Sequence, residues 1–106
     1  MKKLFLSLKK EPFDVMVTGE KDKEYRKTSK WLTSRLTNKD GTEKQYDLIH
    51  FTNGYGPDKR YFICLYEGVY LNTKPVIFKY TNDLSVCVNV GDTVICCGRI
   101  IERGNL

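Results

Sequence analysis

Five charged side chains fall within the six residues Lys21-Asp22-Lys23-Glu24-Tyr25-Arg26. Such a cluster cannot be buried unpaired, because moving an isolated charge out of water costs far more than a fold can recover. Two arrangements accommodate it. In the first, residues 21–27 form a solvated edge strand whose charges resist edge-to-edge association, and Glu24 and Arg26 make a surface pair of little energetic weight. In the second, the segment lines a polar cleft. Side chains alternate along a strand, so Glu24 and Arg26 share one face and Lys23 and Tyr25 the other. Lys21 and Arg26 would then receive a phosphate or base carbonyl, and Glu24 would accept from a base amino group. The same trio has a catalytic reading, with Glu24 as general base and Lys21 steadying a developing anion.

Further along the chain, other residues fit a nucleotide-sized ligand. Tyr55 lies in the glycine-rich stretch Asn53-Gly54-Tyr55-Gly56, where the backbone can approach a ligand and an exposed ring can stack on a base. Alternatively it packs on a barrel rim. Asn53 either reads a base edge or turns the chain. Arg35 either extends a basic cleft or lies along Trp31, one helical turn away, and Trp31 itself is expected to pack its helix on the rest of the fold. Lys59 and Arg60 sit beside the glycine-rich loop, as a phosphate contact or a solvated tip. His50 has no mapped partner and is a weak catalytic candidate.

Charge supports a polyanion as partner. The chain carries 18 Lys and Arg against 13 Asp and Glu, a net charge of +5. Residues 1–30 hold nine basic and five acidic side chains, so almost all of the excess, Lys9 included, lies at one end. Such asymmetry attracts nucleic acid in a salt-dependent way, though a basic surface can equally serve solubility. Composition is that of a globular domain, 41% hydrophobic and 29% charged. At 106 residues one domain is expected, 1–106, with a core large enough to fold without disulfides or a structural metal. The four cysteines have no C-x-x-C spacing and there is one histidine, so neither a metal nor another cofactor is expected. Reduced, buried thiols and a cytoplasmic location fit that usage. The apolar run Leu4-Phe5-Leu6 is too short for a signal-peptide core, and no stretch reaches membrane-spanning length.

The elements that position these residues follow from periodicity. Leu4, Leu6 and Leu8 alternate as one face of a first strand. Glu11-Pro12 opens a short helix with Phe13, Met16 and Val17 at helical spacing, and Gly19 falls where a left-handed cap belongs. Ser29 caps a second helix over 30–36, and Asn38 to Gly41 is a turn. Strands are then expected at 46–52, 61–71, 76–80, 86–90 and 93–102, with Gly68 as a bulge. The result is a mostly β (α+β) domain: a small β-barrel with two short helices near the N-terminus.

Gly19-x-Lys21-x-x-Glu24-x-Arg26, directly after a short helix, resembles the G-x-K-x-x-E-x-R signature of the ASCH domain family within the PUA-like superfamily. Leu6-Ser7-Leu8-Lys9-x-x-x-Phe13 is similar to that family's opening passage. Trp31-x-x-x-Arg35-Leu36, the Asn38 turn, Asn53-Gly54-Tyr55-Gly56 and Cys97-Gly98-Arg99-Ile100-Ile101-Glu102 resemble a phage and prophage subset. The resemblance implies a PUA-like barrel whose signature residues line a cleft, and RNA or a nucleotide as partner. It also implies an alternative, a hydrolase acting on RNA or on an acylated cytidine. The deacylating members use a threonine nucleophile where this chain has Glu24, and without that hydroxyl an acyl-enzyme route through position 24 lacks its nucleophile.

Overall fold

A computed structural model describes residues 1–106. Seven strands and two short helices run in the order β1 (Lys3–Leu8), α1 (Lys10–Met16), β2 (Lys23–Arg26), α2 (Lys30–Leu36), β3 (Leu48–Asn53), β4 (Tyr61–Leu71), β5 (Val76–Lys79), β6 (Ser85–Val88) and β7 (Thr93–Gly104). Five strands form one curled, half-barrel sheet in the order β1-β3-β4-β7-β2. The two edges of that sheet are therefore β1 and β2. β1 pairs with β3 in parallel, Phe5 opposite His50, and the other neighbours are antiparallel. β5 and β6 form a separate hairpin.

Local chemistry explains the elements. Leu4, Leu6 and Leu8 are buried while Lys3 and Phe5 point outward, as alternation requires. Ser29 caps α2 through a hydrogen bond from the Leu32 amide to its Oγ (3.1 Å), and Leu32 and Leu36 enter the core. α1 begins one residue earlier than its proline suggests, at Lys10. Beyond its end Gly19 takes φ +88°, and its amide returns to the Met16 carbonyl at 3.0 Å. Gly68 (φ +100°) sits where the β4–β7 register shifts between Tyr66 and Val69, which bends the longest ladder and curls the sheet.

Inside the curl, Phe13 from α1, Phe51 from β3 and Phe62 from β4 are fully buried. Phe51 and Phe62 stack with centroids 4.9 Å apart, and Phe13 tilts against Phe62 at 5.4 Å. Ile49, Cys64 and Ile95 complete the floor. Of the four free thiols only Cys64 is fully buried, and Cys87 is exposed on the β5–β6 hairpin, so the expectation of four buried cysteines does not hold. The hairpin stands apart from the main sheet, with residues 76–79 all exposed; Phe78 stacks on Tyr25 of β2 (5.3 Å), covering that strand's outer side. No helix is long and apolar enough to cross a membrane.

Phe62→Ala removes the ring that both Phe13 of the helix and Phe51 of the neighbouring strand pack on. Unfolding free energy should fall by about 3–5 kcal/mol, measured as a lowered urea midpoint with unchanged slope.

Candidate functional site

β2 pairs on one side only, with β7, where Glu24 lies opposite Ile95 and Arg26 opposite Thr93. Its free side faces the other sheet edge, β1. Side chains bridge this seam where strand hydrogen bonds are missing. Arg26 donates from Nη2 to the Ser7 carbonyl of β1 (2.6 Å) and from Nε to Glu24 Oε2 (2.9 Å). Lys21 donates to Glu24 Oε1 at 3.1 Å. One carboxylate thus accepts from two cations, each charge-assisted.

Burial makes this triad unusual. Lys21 is 3% exposed and Glu24 7%. The chain turns at Gly19 and runs back along α1, with the Lys21 amide bonded to the Val15 carbonyl (3.0 Å), which drives the lysine inward. Its ammonium also donates to the Lys23 carbonyl and lies 3.5 Å from Met16 Sδ, and it sits 5.1 Å from the Tyr25 ring centroid. All three of its protons are committed. Lys21 is therefore an internal partner of Glu24, with no proton left to give a ligand. Arg26 differs: it is half-buried, and its Nη1 makes no hydrogen bond to the protein.

Above the triad lies a cleft of about 720 Å³. Its walls are Ser7, Leu8, Lys9 and Lys10 on one side, the triad on the floor, and Asn53, Gly54 and Tyr55 on the other. Four cationic side chains and one carboxylate line it. Lys10 is held by Asp14 (2.7 Å), whereas Lys9, exposed at the start of α1, has no such partner. Tyr55 is 86% exposed, its ring standing free on the loop. Gly54 and Gly56, with φ +87° and +107°, flank it and allow that turn.

Asn53 is placed on the cleft wall but its side chain is spoken for. Nδ2 donates to the Leu8 carbonyl (3.1 Å), and Oδ1 accepts from Arg60 Nη2 (2.8 Å). Arg60 in turn pairs with Asp14 (2.9 Å) and lies over the Phe13 ring, so it holds the loop to α1 instead of reaching for phosphate. Asp14 titrates below the ordinary carboxylate range because it accepts from Lys10 and Arg60.

Compared with models of protein families, with curated proteins and with solved structures, the chain matches none. Thr28 donates to the Gly91 carbonyl (2.7 Å) and lies 2.6 Å from the Thr93 hydroxyl, away from the cleft, so it is no substitute nucleophile. Ser7 is the one aliphatic hydroxyl on the cleft wall.

Trp31 departs from its expected place, and Arg35 takes the second of its two expected ones. Trp31 does not pack α2 onto the barrel: it is 52% exposed, with the Arg35 guanidinium 5.1 Å from its ring centroid. Arg35 lies along Trp31 and lines a hollow beside Arg26, outside the main cleft. Trp31's exposure was hidden because helical spacing gives α2 only two apolar positions on its inner face, Leu32 and Leu36, and a third large residue next to Leu32 points away.

Glu24→Gln keeps the shape but leaves the Lys21 ammonium buried beside a neutral amide. The variant should lose about 3 kcal/mol of stability. In a double-mutant cycle with Lys21→Met, urea unfolding should show a coupling of about 1 kcal/mol or more; additive losses would mean the triad is not a unit.

Proposed function

We propose that this chain is an RNA- or nucleotide-binding domain of the ASCH type that takes its ligand in the seam between β1 and β2. The observation that carries the reading is the floor of the cleft: a buried carboxylate clamped by two cations, with the free edge of Arg26 beside it. Two cations to one carboxylate leave a net positive charge where an anionic group would enter, and Lys9 adds an unpaired ammonium at the rim. A cleft of about 720 Å³ has room for a base and its sugar phosphate. Arg26 receives the phosphate or a base carbonyl, and Tyr55 supplies a stacking face.

Roles within the signature differ from one another. Lys21 sets the position and charge of Glu24. Glu24 orients Arg26, and the lone pairs left on its oxygens accept from a base amino group. Asn53 shapes the wall through the Leu8 and Arg60 bonds.

A hydrolase is the second reading, favoured by a carboxylate and an ammonium 3.1 Å apart in the same cleft. Binding ranks ahead of it because Glu24 already accepts from protein cations on both oxygens, and because the nucleophilic hydroxyl of deacylating ASCH proteins is replaced by that carboxylate.

The double variant Lys9→Ala/Arg26→Gln removes the unpaired rim ammonium and the arginine whose outer edge is free. Affinity for a short RNA should fall, and the slope of log K against log salt should flatten by about 1.4, roughly 0.7 for each lost phosphate contact on a single strand. Unchanged affinity and slope would refute the assignment. Incubation with RNA and with acylated cytidines separates the second reading: turnover by the wild type that Glu24→Gln abolishes would make this chain a hydrolase.

A further inference from the structure

On the far side of Arg26 the surface opens into a second hollow of about 230 Å³. It shares Ser7, Arg26 and Tyr55 with the main cleft, so the two hollows adjoin at the arginine. The second hollow is aromatic. Trp31 from α2 and Phe5 from β1 line it, 52% and 59% exposed, with Arg35 along one face of the indole. The parallel β1–β3 register sets Phe5 beside His50, rings 5.2 Å apart, and His50 continues to Tyr61 at 5.0 Å. Burial, with Lys3 adding to it, lowers the His50 pKa, so this ring is neutral at pH 7 and contributes a flat surface, not a charge.

Exposed rings gathered in one hollow, unlike rings scattered singly, mark an interaction site. Their setting indicates its occupant. Arg26 and Arg35 both line the hollow, which excludes a purely apolar occupant and suits a chain alternating flat rings with anions. Single-stranded nucleic acid has that chemistry: bases stack on aromatic side chains while guanidinium groups follow the phosphates. We propose that the ligand of this domain is a single strand of RNA spanning both hollows, not a free nucleoside, with Trp31 as the stacking platform for the nucleotide adjacent to the one in the cleft. Arg26, where the hollows adjoin, takes the phosphate that joins the two nucleotides. This rests on the cleft being a nucleotide site, and adds a second subsite and a minimum ligand length of two nucleotides.

Trp31 is the single tryptophan of the chain, so its fluorescence reports this subsite alone. The four nucleoside 5′-monophosphates and the matching RNA homotetramers are titrated into the wild type, Trp31→Ala, Trp31→Phe, Arg35→Ala and Arg26→Gln. At least one tetramer should bind about tenfold more tightly than its monophosphate and quench the wild-type indole, which the monophosphate leaves unquenched. Trp31→Ala should lose about that tenfold for the tetramer with monophosphate affinity unchanged. Trp31→Phe should recover most of it, and Arg35→Ala should weaken the tetramer only. Equal affinity for tetramer and monophosphate, or a tetramer indifferent to Trp31→Ala, would overturn the second subsite. The cleft reading survives that result if Arg26→Gln still weakens the monophosphate. Failure of every monophosphate and tetramer to bind the wild type overturns both.

Discussion

A sheet that curls without closing leaves two edges facing each other, and what spans the gap decides what the molecule can do. Here the gap between β1 and β2 is spanned by Arg26, held by the Glu24 carboxylate that Lys21 in turn anchors. Backbone ladders satisfy the polar groups of a closed barrel uniformly; a side-chain bridge satisfies them at one point and leaves room beside it. The cost of burying Lys21 and Glu24 together is large, and their pairing offsets it only because the geometry commits every ammonium proton. An apolar pair would close the seam more cheaply and leave nothing to meet an anion.

Support for that bridge comes from all sides. The Gly19 turn and the Val15 carbonyl press Lys21 inward, β7 fixes the height of Glu24, and the Ser7 carbonyl sets the plane of Arg26. Asn53, Arg60 and Asp14 form a second tie from the glycine-rich loop to α1. The cleft is thus preorganised on its floor and one wall, while Lys9, Tyr55 and Trp31 stand exposed at its margins. A rigid floor with adaptable margins suits a ligand whose charge is constant and whose bases vary.

Much of the fold was legible because short-range rules decided it. Alternating leucines, the Ser29 cap, the Gly68 bulge and the turn at Gly41 each act within a few residues, and the two helices and most strand limits follow. Residues 21–26 were legible as anomalous, and two structures stayed open for them because burial is not a local property. Whether Lys21 meets solvent depends on β7, some seventy residues away. The same reason hid the parallel β1–β3 pairing and with it the Phe5–His50 contact, the Arg60 tie that occupies Asn53, and the exposure of Trp31. Residue types pointed to the right neighbourhood; roles within it were set by contacts that span the chain.

That long reach has a consequence for how the molecule comes into being. In the main sheet β2 has only one neighbour, and that neighbour is the last strand. While the chain is being synthesised, the charged segment has no inner partner until residues 93–96 have left the ribosome. Its five charges keep it solvated and unpaired through that interval, a poor template for association with other growing chains. The parallel partner of β1 arrives earlier, about forty-five residues on, so one lip of the seam forms before the other exists. Ligand-binding geometry would then be the final product of folding, absent from every truncated chain that stops short of β7.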